Sequence, residues 1–93
     1  ATGRTIRLML PPVARPFAVA GPKRTAIRVT CDTRGLNRVY IDGRDTGYDC
    51  PTPPLRVLPT VHTVSMYVPR SRRVVWKRIR PPVRKVTEVH WNH

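Results

Sequence analysis

The residues of this chain with the widest chemical repertoire are two cysteines and three histidines: Cys31, Cys50, His62, His90 and His93. A disulfide between Cys31 and Cys50 would restrict the unfolded chain and stabilise a small domain by roughly 3 kcal/mol. The alternative is two buried free thiols, as expected in a reducing compartment. Residue types and spacing alone leave both interpretations open.

The same residues are also candidate zinc ligands, because zinc is held by thiolates and imidazoles. Four-ligand zinc sites normally show paired short spacings such as Cys-x₂-Cys or His-x₃-His, and this chain has neither. His90 and His93 come close to such a spacing, but they lie at the end of the chain. We therefore predict no metal and no other cofactor.

Residues suited to catalysis are present without the surroundings that catalysis needs. Ser65 and Ser71 are not flanked by the glycines of a nucleophile elbow, and no glycine-rich phosphate loop occurs. Asp42, Asp45 and Asp49 are close in sequence, but an EF-hand calcium loop needs a closing glutamate and flanking helices. We interpret these aspartates as turn-forming and solubilising residues, and we predict that the chain is not an enzyme.

The strongest functional signal is a basic segment, residues 70–85, which has eight basic residues and no acidic one. Its basic residues are Arg70, Arg72, Arg73, Lys77, Arg78, Arg80, Arg84 and Lys85. One hypothesis is nucleic-acid binding, in which these side chains contact phosphates and Trp76 stacks on a base. A second is docking on acidic neighbours: protein subunits, anionic lipid headgroups or an anionic envelope polymer. A third is a solvated face with no dedicated partner.

Two features of the basic segment favour docking over nucleic-acid binding. The basic residues fall on both faces of an alternating strand pattern. Trp76 shares a face with Val74, which is typical of a core residue. Both features argue against one continuous surface for a nucleic acid.

Length and charge limit the protein to one small domain. Its 93 residues include 18 Lys+Arg and 5 Asp+Glu, which give a formal net charge of +13. A chain of this size buries only about 60% of its unfolded surface, and it is too short for a Rossmann or TIM-barrel enzyme. No apolar run approaches the ~20 residues of a membrane span. The chain begins at Ala1 rather than at Met, and we interpret it as a segment of a processed protein.

Eleven prolines exclude long helices, and the stretches between them alternate with a period of two. The alternation is clear in residues 25–31, 38–41 and 62–68, and it recurs in 73–79 and 83–91. The expected apolar faces are Ile27, Val29 and Cys31; Val39 and Ile41; Val64, Met66 and Val68; and Val83, Val89 and Trp91. Such patterns are typical of half-buried strands, so we predict an all-β fold.

Residues 1–24 differ from the rest of the chain, because prolines interrupt any continuous ladder. Ile6, Leu8 and Leu10 alternate with polar or long side chains and then meet Pro11 and Pro12. One interpretation is a flexible tether. We favour a partner-binding arm, in which these apolar residues dock on a sheet edge of another subunit.

The turn signals occur in a recognisable order. Residues 39–43 read Val-Tyr-Ile-Asp-Gly, Gly47 follows as a second turn, residues 50–53 read Cys-Pro-Thr-Pro, and Pro59 opens another turn before His62. Asp-Gly after a strand predicts a tight hairpin. Over roughly residues 25–79, this order of strands and turns resembles the PEGA domain, a small bacterial β-sandwich module.

The resemblance implies a non-catalytic module that often lies on the outer side of a bacterial membrane, and it implies no transferable set of functional residues. In that setting we favour the disulfide between Cys31 and Cys50. We predict a small antiparallel β-sandwich over residues 25–91, preceded by an extended, proline-rich, basic arm over residues 1–24. The predicted role is interaction or structural accessory work in the bacterial cell envelope, in the periplasm or at the cell surface, as a small subunit of a larger assembly. The alternative is a basic nucleic-acid-binding protein of ribosomal or nucleoid type.

Overall fold

The computed structural model describes residues 17–32 and 36–92, and these residues form strands without any helix. The strands are β1 (Ala26–Cys31), β2 (Arg38–Ile41), β3 (Arg44–Asp49), β4 (Leu55–Arg56), β5 (His62–Val68), β6 (Arg73–Ile79) and β7 (Val86–Trp91). The predicted all-β class is confirmed. The predicted arm residues Ile6, Leu8 and Leu10 lie outside the described residues.

The strands form two sheets, in the orders β4-β1-β7 and β3-β2-β5-β6. One core joins the inner faces of both sheets, which makes the fold a β-sandwich. The three-stranded sheet contributes Ile27, Val29, Leu55 and Val89, and the four-stranded sheet contributes Val39, Ile41, Val64, Met66 and Val68. The predicted inward faces of β1, β2 and β5 therefore meet in the core.

One pair of strands departs from the predicted antiparallel arrangement. β1 and β7 run parallel, from Ala26↔Val86 to Cys31↔Trp91, whereas the other pairs of named strands are antiparallel. Parallel neighbours need a long connection. Here the connection runs from β2 to β6, and it includes β4 and the whole four-stranded sheet.

The turn between β2 and β3 is the tight hairpin that the sequence predicts. Asp42 has φ 54° and Gly43 has φ 78°, and Ile41 pairs directly with Arg44. A two-residue loop with positive φ at both positions matches the twist of the strands it joins, and Asp-Gly tolerates that geometry.

Gly47 does not form the predicted second turn. It lies inside β3 with φ 80°, where the pairing with β2 shifts register between Arg38 and Tyr40. A glycine at positive φ allows one strand to bulge without ending. The chain therefore continues along β2 instead of turning away from it.

The predicted face of residues 83–91 is only partly correct. Val89 is buried and Trp91 packs against the core, but Val83 is 61% exposed. Val83 lies in the turn before β7, where Arg84 adopts a φ of 59°. The alternation of inward and outward side chains does not extend through this turn, so it does not predict on which side Val83 lies.

Part of the predicted arm contacts its own domain. Val19 forms a β-bridge with Leu55, the Ala20 N–H donates to the Pro54 carbonyl at 2.8 Å, and the Arg56 N–H donates to the Ala18 carbonyl at 2.8 Å. Residues 18–20 therefore pair with the free edge of β4. Residues 1–16 of the predicted arm lie outside the described residues.

Candidate interaction surface

β6 is an edge strand of the four-stranded sheet. It pairs with β5 along its full length, from Val68↔Arg73 to His62↔Ile79, and the sheet order ends at β6. We call its unpaired side the β6 edge. Every second backbone N–H and C=O of such a strand points away from the sheet.

The inner face of β6 mixes apolar and basic side chains. The register with β5 sets Arg73, Val75, Lys77 and Ile79 on the same side as the buried residues of β5. Val75 and Ile79 pack against the core, whereas Arg73 and Lys77 are exposed. The inner side of the β6 edge therefore carries two solvated cations.

The outer face of β6 exposes its apolar residues to solvent. Val74 is 57% exposed and Trp76 is 61% exposed. The expectation that these two residues share a core face is wrong: they share a face, but it is the solvent face. Three consecutive apolar residues, Val74, Val75 and Trp76, give no alternation within that stretch, so the pairing with β5 decides which face is buried.

Aromatic residues continue this outer face across the sheet. Trp76 pairs with Ser65, which pairs with Tyr40, while Val74 pairs with Tyr67. Tyr40 and Tyr67 are half-buried. The sequence did not predict this grouping, because Tyr40, Tyr67 and Trp76 lie on three strands whose register it does not specify.

All eight basic residues of the segment 70–85 are exposed. We call this set the cationic surface; it consists of Arg70, Arg72, Arg73, Lys77, Arg78, Arg80, Arg84 and Lys85. Arg72 and Arg84 lie in turns with φ of 55° and 59°, Arg73, Lys77 and Arg78 belong to β6, Arg70 and Arg80 lie near its ends, and Lys85 precedes β7. The Arg84 N–H donates to Thr25 Oγ1 and the Lys85 carbonyl accepts from the Ala26 N–H, so these two residues lie beside the start of β1, whereas the other six lie in or next to β6.

All five acidic side chains of the protein are engaged elsewhere. The pairs are Asp32–His90 at 3.0 Å, Asp42–His62 at 2.6 Å, Asp45–Arg38 at 3.0 Å, Asp49–Arg38 at 2.9 Å and Glu88–Arg28 at 2.7 Å. Within the described part of the chain, no carboxylate forms an ion pair with the cationic surface. Its charge is therefore uncompensated.

At the opposite edge of the same sheet, the β3 edge, Arg38 balances the negative charge of two aspartates. Its Nε donates to Asp49 and its Nη1 donates to Asp45. The hydrogen bond to Asp45, followed by that to Asp49, raises the pKa of Arg38. The Gly47 N–H and then Arg38 lower the pKa of Asp45. The Asp45 carboxylate is therefore held in its charged form, and both aspartates are paired with Arg38.

Asp42 and His62 form a second local pair at the start of β5. His62 is buried, and its Nδ1 lies 2.6 Å from Asp42 Oδ2 while the Thr63 N–H donates to Asp42 Oδ1. Partial burial raises the pKa of Asp42, but the hydrogen bonds from His62 and Thr63 outweigh it, and the net pKa is lowered. The turn and the strand are joined by this charged hydrogen bond.

The predicted disulfide between Cys31 and Cys50 is confirmed, with the two Cα atoms 6.1 Å apart. Cys31 ends β1 and Cys50 follows β3, so the bond joins the two sheets. Thr52 supports the junction, because its side chain accepts from the Val29 N–H while its own N–H donates to the Val29 carbonyl.

Among residues 17–32 and 36–92, no three His, Cys, Asp or Glu side chains are grouped so that they could hold a metal ion. None of these residues belongs to a helix long and apolar enough to cross a membrane. An open cleft of about 550 Å³ lies beside Phe17, Asp42 and His62, with Arg44 and Arg56 also lining it.

Comparisons with known proteins give no relative for this chain. No family model matches it, and neither a curated protein nor a solved structure matches it. The resemblance to PEGA domains therefore stays a prediction, and the functional argument depends on the surface itself.

Proposed function

We propose that this protein is a non-catalytic interaction module of the bacterial cell envelope, and that it docks on an acidic protein partner through the cationic surface. It would act as a small subunit of a larger assembly. The observation that carries the proposal is the distribution of charge: all five acidic side chains are paired elsewhere, and eight exposed basic residues have no carboxylate partner among residues 17–32 and 36–92.

The physical reason is that crowded like charges repel one another in the free domain. An acidic partner relieves that repulsion and gains charge-assisted hydrogen bonds with arginine. Trp76 and Val74 add exposed apolar area within the same strand. Tryptophan and arginine are the residue types that most often dominate the energy of protein interfaces.

The disulfide supports the proposed location. Disulfides persist in oxidising compartments such as the periplasm and the cell surface, and they are rare where thiols are kept reduced. The location is tested by alkylating the thiols in intact cells before lysis. We expect both cysteines to resist alkylation until a reductant is added. Modification of both thiols without reductant would contradict an oxidising compartment.

Docking is tested with poly-L-glutamate as an acidic probe. The double variant Arg73→Glu/Arg78→Glu changes the basic residues of β6, and Arg24→Glu/Arg56→Glu makes the same change in net charge at exposed positions outside β6, in a cleft that Arg84 also lines. We expect the first variant to weaken binding by about tenfold or more, since several charge pairs are lost, and the control to weaken it much less. Equal losses would mean that the probe responds only to net charge.

Nucleic-acid binding is the second candidate, because Trp76 is exposed on a sheet face that also carries Tyr40 and Tyr67. Aromatic residues on a sheet can stack with unpaired bases. A single-stranded oligothymidylate distinguishes the candidates. We expect weak binding that disappears by ~0.2 M salt. Saturable binding at that salt concentration, abolished by Trp76→Ala, would favour the nucleic-acid function.

Anionic envelope polymers and lipid headgroups are the remaining partners for a cationic surface. Phosphatidylglycerol vesicles and a purified anionic cell-wall polymer can be titrated beside poly-L-glutamate at equal charge concentration. We expect poly-L-glutamate to bind most tightly, because Trp76 and Val74 suit a polypeptide interface. Tighter binding of either alternative would replace the acidic protein in the proposal.

A further inference from the structure

We infer that the β6 edge binds an extended peptide segment whose acidic and apolar residues alternate, and that this segment adds a strand to the four-stranded sheet. The inference rests on the proposed function and specifies the chemistry of the partner. β6 has seven residues, long enough for a continuous ladder, and it pairs on one side only. Main-chain hydrogen bonds along such an edge provide affinity for an added strand.

The other edges are less suited to a new strand. Residues 18–20 already pair with β4, and the Gly47 irregularity interrupts the pairing of β3 with β2. At the β7 edge, Glu88 is paired with Arg28 and His90 with Asp32, so the charges there are compensated. The β6 edge combines a regular register with uncompensated cations and exposed apolar residues.

The chemistry of the partner follows from the two faces of β6. A strand added to the edge places alternate side chains beside the two faces. Those on the inner side would meet Arg73 and Lys77, which favour carboxylates. Those on the outer side would meet Val74 and Trp76, which favour apolar residues, and then Arg78 near the end of the strand. The matching segment therefore alternates acidic and apolar positions.

A second copy of this chain is a poor occupant of the edge. Two β6 strands side by side would bring Arg73 and Lys77 against the same cations of the other copy. Like charges opposite one another destabilise strand pairing. An inward-facing lysine on an edge strand is also a known protection against self-association. The same residue that rejects a second copy would attract an acidic strand.

The test uses the full chain and two synthetic peptides of identical composition. One alternates glutamate and valine, and the other has all its glutamates followed by all its valines. We expect the alternating peptide to bind about tenfold more tightly or better, because only it matches both faces of β6. Methylating every second backbone nitrogen of the alternating peptide removes the N–H groups along one of its two edges. Of the two peptides that can be made in this way, one should not bind, because it lacks the N–H groups that pair with β6.

Lys77→Glu should also abolish binding of the alternating peptide, while Arg24→Glu should not. Circular dichroism checks that both variants are folded. Equal binding of the two peptides would overturn strand addition and leave docking on acidic partners intact. Concentration-dependent dimers in which the β6 amides exchange more slowly than in the monomer would show that a second copy occupies the edge, and would also overturn the inference.

Discussion

The two edges of the four-stranded sheet differ in how their charges are balanced. At the β3 edge, Asp45 and Asp49 are both paired with Arg38 from the neighbouring strand. At the β6 edge, Arg73 and Lys77 are exposed and have no carboxylate partner among the described residues. The charge at the β3 edge is therefore balanced within the chain, and the charge at the β6 edge is not, which is why we propose that a partner docks there.

From this difference we infer that the β3 edge of the sheet contributes to stability and that the β6 edge serves partner binding. Local charge pairs, a tight turn and a disulfide all cluster around β2 and β3. The exposed apolar residues of β6 are flanked by cations that limit self-association. Stability and partner binding are thus expected to depend on different residues, and this separation can be tested.

A large loss of stability is expected from removing the disulfide beside β3. The double variant Cys31→Ala/Cys50→Ala should lower the free energy of unfolding by about 3 kcal/mol, because the unfolded chain is no longer constrained. Denaturant unfolding measures the change. Poly-L-glutamate binding by the folded protein should be unchanged. If the folded variant also lost binding, the β3 edge and the β6 edge would not be independent, which would contradict the separation of stability from partner binding.

A smaller loss is expected from Asp42→Ala at the β2–β3 turn. It removes the hydrogen bonds from His62 and the Thr63 N–H, and it leaves a buried ring nitrogen without its partner. We expect a loss of about 1–2 kcal/mol in the free energy of unfolding. Asp42→Asn is the matched control, since it keeps an acceptor and tolerates the positive φ. Equal losses in both variants would show that the charge, and not the acceptor, matters.

The carboxylates near β3 predict how stability depends on pH. The pKa values of Asp42 and Asp45 are lowered in the folded protein. Their contribution is present above the ordinary aspartate pKa of about 3.9 and is lost as pH falls through the folded values. We expect the melting temperature to fall on acidification below about pH 4. The fall should be smaller in Asp42→Asn/Asp45→Asn; an unchanged acid limb would contradict the pairing.

Arg38→Gln should have only a small effect on stability, because exposed ion pairs contribute little. It leaves Asp45 and Asp49 without their arginine and so makes the β3 edge acidic. Binding of poly-L-glutamate should change much less than in Arg73→Glu/Arg78→Glu. Fluorescence anisotropy of a labelled probe measures both. A comparable loss in Arg38→Gln would show that the probe also contacts the β3 side.

The smallest effect on stability is expected from Trp76→Ala. The side chain is 61% exposed, so its removal should change the free energy of unfolding by less than about 0.5 kcal/mol. Ile41→Ala, at a fully buried position of the same sheet, is the contrasting variant and should cost about 2–5 kcal/mol. A large loss for Trp76→Ala would mean that the outer face of β6 is packed rather than free.

The sequence predicted the elements whose signals are local. Alternation in β1, β2 and β5 identified the buried sides, and Asp42-Gly43 identified the hairpin. These succeeded because period and turn chemistry are properties of neighbouring residues. The disulfide was favoured only with the help of the family resemblance.

Features that depend on strand register were not predicted. The solvent face of Trp76 follows from the pairing of β6 with β5, and the parallel contact of β1 with β7 joins the two ends of the sandwich. From the sequence, Gly47 is interpreted as a turn residue, because a glycine with positive φ occurs both in tight turns and in strand irregularities. The eight basic residues were recognised as a set. That these residues lack carboxylate partners is visible only in the structure, because the conclusion depends on where every acidic side chain lies.

The most direct test of the account is amide hydrogen exchange of the full chain with and without the alternating glutamate–valine peptide. We expect amides of β6 to exchange more slowly at saturating peptide, because those facing outward acquire acceptors, while amides of β3 keep their rates. Unchanged exchange in β6, or slower exchange in β3, would contradict the claim that the β6 edge is the docking site.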